Sequence, residues 1–154
     1  MSGKGKQNTS RKRTFRLQVE ASSDNLDVIR NFVVRIAREM GFSDEQVYDI
    51  EVAVDEAASN VIKHAYSHRN SGKRPLDIKV KKNKKFIEIT ITDKGKGFNP
   101  DEVKEPQIEE YLKKMKRGGL GLYLIKQLMD DVAFRIKPGV RNEIIMKKFV
   151  EKPL

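Results

Sequence analysis

Hydrophobic positions along this chain alternate between two rhythms, and each change of rhythm marks a predicted element. Phe15, Leu17 and Val19 alternate with Arg16, Gln18 and Glu20, as in a strand with one buried face. Leu26, Ile29, Val33, Ile36 and Met40 follow at helical spacing. Ser22, Ser23 and Asp24 offer N-cap oxygens before them, and Gly41 is a natural stop. Ser43-Asp-Glu-Gln46 fits the capping box and opens a second helix. Its stripe of Val47, Ile50, Val54, Ala57, Val61 and Ala65 carries the helix to about Tyr66. Residues 67–75 are polar and read as a loop. Leu76, Ile78 and Val80 predict a strand. Ile87, Ile89 and Ile91 predict its partner across a turn at Asn83-Lys84. Residues 99–117 hold few apolar anchors and are expected to form a mobile loop, long enough to serve as a lid. Leu120, Tyr123, Leu124, Gln127 and Leu128 predict a third helix. Val132, Phe134 and Ile136, then Ile144, Met146 and Lys148, predict two strands joined by a turn at Pro138-Gly139.

The pattern therefore predicts five strands and three substantial helices. Every strand alternates, so each should keep one wet face. That favours a mostly antiparallel or mixed sheet with helices on one side, a two-layer α/β sandwich, over a doubly wound parallel sheet. With 154 residues the expectation is one domain, residues 14–150, preceded by an arm of residues 1–13.

Composition removes several function classes. The chain has no cysteine, which excludes disulfides and thiolate chemistry. His64 and His68 lack further partners for a zinc site. No apolar run is long enough to span a bilayer, so a cytoplasmic protein with no membrane role is expected. The net charge of +10 is uneven. Lys4, Lys6, Arg11, Lys12 and Arg13 lie in an acid-free arm expected to be disordered. Such an arm suits nucleic acid or an acidic partner, and equally a solubilising tail. Lys79, Lys81, Lys82, Lys84 and Lys85 form a second cluster. No aromatic residues are interleaved for base stacking, so nucleic acid is not favoured.

Three stretches carry candidate chemistry. Glu56 and Asn60 lie one helical turn apart on one face, away from the apolar stripe, and Lys63 follows. This is either a solvated face or a carboxylate beside a neutral oxygen ligand for a hard cation such as Mg²⁺. Asp93-Lys94-Gly95-Lys96-Gly97-Phe98 follows a strand directly. Its glycines permit close approach to a flat ligand, and Asp93 can accept from an exocyclic amino group. In Arg117-Gly118-Gly119-Leu120-Gly121-Leu122 the glycines open a helix whose amides suit phosphate. Neither a Walker A loop nor a Rossmann fingerprint is present.

Taken together and in this order, the stretches resemble the Bergerat-fold ATPases and kinases, over roughly residues 15–149. The nearest resemblance is to stand-alone anti-sigma-factor serine/threonine kinases. It rests on Asp55-Glu56-Ala57-Ala58-Ser59-Asn60, on Ile62-Lys63-His64-Ala65-Tyr66 and on the run from Gly119 to Asp131. The resemblance implies ATP and Mg²⁺ as cofactors. Asn60 would bind Mg²⁺. Asp93 would accept from adenine, with Gly95 and Gly97 permitting its approach. Gly119 and Gly121 would place amides on phosphate, within a stretch that includes Leu120 and Leu122. Arg117 and Lys63 would add positive charge, and Glu56 would be the catalytic base. It also implies a sigma factor and a small anti-anti-sigma antagonist as partners, the antagonist being phosphorylated on serine or threonine. A homodimer stays open. Two alternatives stand beside this reading: an ATP-binding switch that holds partners without phosphorylating them, and a basic nucleic-acid-binding protein. One departure concerns the base. Where the family has Gly-Thr before the last strand, with threonine near adenine, this chain has Gly139-Val-Arg-Asn142-Glu143. No phosphoacceptor helix precedes the domain, so an autophosphorylating histidine kinase is not expected, and His64 reads as a packing or lid-contact residue.

Overall fold

Backbone pairing joins the alternating segments into one sheet. The structure, a computed structural model, describes residues 11–66, 72–95 and 121–150. Its strands are β1 (Arg13–Glu20), β2 (Pro75–Lys82), β3 (Phe86–Asp93), β4 (Asp131–Lys137) and β5 (Arg141–Phe149). They lie in the order β1-β2-β3-β5-β4 and every pairing is antiparallel. Its α-helices are α1 (Leu26–Arg38), α2 (Asp44–His64) and α3 (Gly121–Leu128). Arg13, assigned above to the arm, already pairs with Lys82 at the edge of the sheet. The loop and lid expected at 99–117, and most of the arm, lie outside the described residues. Among the described residues no helix is long and apolar enough to cross a membrane.

Register explains the two layers. Ile78 faces Ile91, and Ile91 faces Ile144, so one side of the sheet is a continuous aliphatic surface. Ile29, Ile50, Val54 and Ile125 of the three helices are fully buried in the same core cluster. Each such side chain contributes about 1.5–3 kcal/mol by leaving water. The opposite side of the sheet carries the polar half of the alternation, with Glu88 and Lys147 3.7 Å apart across β3 and β5.

Helix α2 is tied down at both ends. Ser43 Oγ accepts from the Gln46 amide, and Gln46 Oε1 accepts from the Ser43 amide, each at 3.1 Å. This is the predicted capping box. Gln46 Nε2 also donates to the Phe149 carbonyl at 3.3 Å, which links the helix start to β5. Lys148 follows Ile144 and Met146 onto the inner face and is buried. Its Nζ donates to the Leu128 carbonyl at 2.6 Å, at the end of α3, where a cation complements the helix dipole. Asp49 of α2 lies 3.7 Å away.

Candidate active site

Strand β3 is the middle strand of the sheet, and its last residue is Asp93. The aliphatic row Ile87, Ile89, Ile91 therefore ends in a carboxylate on the helix-facing side. Asp93 is only 6% exposed. Its Oδ1 accepts from the Gly95 amide at 2.8 Å and from Asn142 Nδ2 at 3.0 Å. A buried carboxylate requires such donors.

Gly95 itself is wedged against α2. A side-chain carbon placed there would fall inside the Ala65 carbonyl, which is backbone and cannot swing away. The Gly95 carbonyl accepts from the Gly139 amide at 2.7 Å and from Asn142 Nδ2 at 2.9 Å. Tyr66, just past α2, is buried. Its hydroxyl donates to the Pro75 carbonyl at 2.6 Å and accepts from the Lys94 amide at 2.9 Å. The loop after β3 is thus held by the end of α2 on one side and the β4–β5 turn on the other.

Glu56 and Asn60 project from the middle of α2. Their face is half-buried rather than fully solvated, because the start of α3 lies on it. A methyl group on Gly121 would stand 2.5 Å from Asn60 Nδ2 and 3.1 Å from Glu56 Oε2. The contact as it stands therefore needs glycine, and it brings the Gly121 backbone of α3 beside a carboxylate and a carboxamide. Asp55, the neighbouring carboxylate, turns the other way. Arg30 of α1 holds it through Nη2 at 2.9 Å and Nε at 3.3 Å. The Arg30 guanidinium pKa is raised, first by this hydrogen bond and then by the Asp55 charge. Of the two adjacent acids, Asp55 serves the α1–α2 interface and Glu56 faces α3.

Of the predicted site residues, Glu56, Asn60, Lys63, Asp93, Gly95, Gly121 and Leu122 are described. The first two meet Gly121, while Asp93 and Gly95 form their own cluster at the sheet end. Lys63 is exposed on the last turn of α2. Leu122 is half-buried against the core, so only its backbone suits a ligand. Gly97, Arg117, Gly119 and Leu120 lie outside the described residues. His64 is exposed while its neighbours Ala65 and Tyr66 are buried, and the lid that it was also expected to contact lies outside the described residues. Asn142 was visible in the sequence only as a departure from Gly-Thr, yet it faces Asp93 directly in the β3–β5 register.

Three comparisons bear on this site. The sequence profile of a family described as "Histidine kinase-like ATPase domain" matches residues 19–148. The "Serine-protein kinase RsbW" of Oceanobacillus iheyensis is 36% identical over 138 residues, covering 87% of this chain and 85% of the relative. That of Halalkalibacterium halodurans is 34% identical, covering 90% and 85%. Among solved structures, the RsbU and RsbW domains of Rv1364c from Mycobacterium tuberculosis match with a TM-score of 0.62 at 13% identity, over 92% of this chain and 33% of that one. The SiaB-SiaC complex from Pseudomonas aeruginosa matches with a TM-score of 0.60 at 12% identity, over 94% and 92%. At such identities the structural likeness is one of fold.

Proposed function

Because the chain belongs to the histidine kinase-like ATPase domain family, we propose that it is an ATP-dependent serine/threonine protein kinase acting as an anti-sigma factor. Its substrate is a small antagonist protein, phosphorylated on serine or threonine. The relatives named as serine-protein kinases support the reaction class and a protein as the acceptor. The observation that carries the reading is Glu56, a carboxylate with no role in the α1–α2 ion pairs, set beside Asn60 where α3 begins.

The residues suit the groups this reaction needs. Asp93 accepts from the adenine amino group, and Gly95 lets the loop lie flat beneath the base. The glycine-rich stretch of Gly119, Leu120 and Gly121 that leads into α3 would offer backbone amides to the phosphates. Lys63 and Arg117 add charge. Asn60 supplies a neutral oxygen for Mg²⁺, which when bound offsets phosphate charge. Glu56 orients the acceptor hydroxyl and takes its proton as the oxygen attacks the γ-phosphorus. The bond from that phosphorus to the β–γ bridging oxygen breaks, and ADP leaves. Release of a bound sigma factor follows from competition between antagonist and sigma factor for the kinase, which places the protein in the cytoplasm beside transcription.

The test is Glu56→Gln, which keeps side-chain shape and removes the base. A group that acts on the attacking hydroxyl matters more in the transition state than in ATP binding. ATP affinity by calorimetry should stay within a few fold, and phosphoryl transfer should fall by roughly 10²–10⁴. Undiminished transfer would remove Glu56 from the role.

A further inference from the structure

We propose that Asn142 completes the base-reading site with Asp93, so that the protein requires a purine carrying an unsubstituted 6-amino group. The inference rests on Asp93 being the base acceptor, as above. Asn142 is 2% exposed and lies directly across β3–β5 from Asp93. Its Nδ2 donates to Asp93 Oδ1 at 3.0 Å and to the Gly95 carbonyl at 2.9 Å. Both partners are acceptors, so the orientation of the carboxamide is fixed by the network.

Two consequences follow. Asp93 Oδ1, which also accepts from the Gly95 amide at 2.8 Å, has two donors already. Its second oxygen, Oδ2, is then the acceptor that Asp93 offers. Asn142 Oδ1 faces away from that network, and among the described residues it is the one buried side-chain polar atom with no partner. A buried acceptor left unmade is costly, so this atom calls for a donor. A 6-amino group carries two hydrogens, one for each of these acceptors. A 6-oxo purine would turn a lone pair toward both, which is repulsive. A threonine in this place would hold Asp93 with a single hydroxyl and could not present a carbonyl acceptor in the same way. The carboxamide thus changes what the site reads.

The experiment is calorimetric titration of the full chain with ATP, N6-methyl-ATP, N6,N6-dimethyl-ATP and GTP. For the wild type, each methyl group should weaken binding by roughly tenfold, since each removes one hydrogen bond. GTP should bind at least ~100-fold more weakly than ATP. In Asn142→Leu, similar in shape and without polar atoms, N6-methyl-ATP should bind as ATP does, and the GTP penalty should shrink by about tenfold. Asn142→Thr should lose the first methyl penalty in the same way. Wild-type binding of N6-methyl-ATP equal to that of ATP would overturn the proposal, because Asp93 alone, or a water on Asn142 Oδ1, would then suffice. Unchanged ratios in a folded Asn142→Leu would overturn it as well. If the leucine variant does not fold, the wild-type series decides alone. Absence of binding by all four nucleotides would instead defeat the nucleotide reading on which this rests.

Discussion

Gly95 and Gly121 both sit at close approaches, but they approach different things. A methyl group on Gly95 meets the backbone of Ala65, whereas one on Gly121 meets the ends of the Asn60 and Glu56 side chains. Backbone cannot yield and side chains can. Gly95→Ala is therefore expected to lower the unfolding free energy by about 1–3 kcal/mol, the usual cost of overpacking, with the loop after β3 displaced. Gly121→Ala gains up to about 1 kcal/mol of helix propensity, which offsets the adjustment of two side chains. Its stability should stay near wild type while phosphoryl transfer falls at least tenfold, because Glu56 and Asn60 are pushed from place. Urea unfolding and a transfer assay on both variants check the pair. Equal loss of stability in the two would mean that the Gly121 contact is ordinary packing.

Helix α2 joins the two ends of the molecule. Its first turn holds the capping box and the link to β5, its last turn holds Lys63, and its C-cap Ala65 makes the contact to Gly95. Ser43→Ala should cost about 1 kcal/mol, the typical value for a lost N-cap, and leave ATP affinity unchanged because the cap is at the far end from Asp93. A changed affinity in calorimetry would show that the start of α2 and the site are coupled. The box was legible in the sequence because its partners are three residues apart. The helical and strand rhythms were legible for the same reason, since burial of one face imposes a local period. What was not legible depends on chain-distant partners. On the spacing of α2 alone Glu56 and Asn60 fitted a solvated face as well as a site, because their cover, Gly121 of α3, is distant in the chain. Lys148 alternated with buried residues, but nothing near it in sequence announced the Leu128 carbonyl as its acceptor. Asn142 registered only as a missing threonine, because its partner Asp93 belongs to another strand.

At the scale of the whole molecule, the sheet gives one face to the core and turns a charged face outward. The helices cover the other side and frame the sheet end where Asp93 and Asn142 meet. With Glu56 as the proposed base, kinase action also needs a second protein to reach that side chain. The net charge of +10 suits an acidic partner. It also suits a nucleic acid, and part of the lysine cluster on β2 has other work: Lys82 lies over the Phe15 ring at 5.6 Å and 4.0 Å from Glu39. The most direct test of the central claim joins both functions in one assay. The full chain is incubated with γ-labelled ATP and the small protein that it retains in a pull-down, and the label is located by phosphoamino-acid analysis. The expected result is label on a serine or threonine of the partner, dependent on ATP and lost in Glu56→Gln although the partner is still retained. A retained partner that wild-type protein and ATP leave unlabelled would contradict the kinase reading and favour a nucleotide-controlled switch.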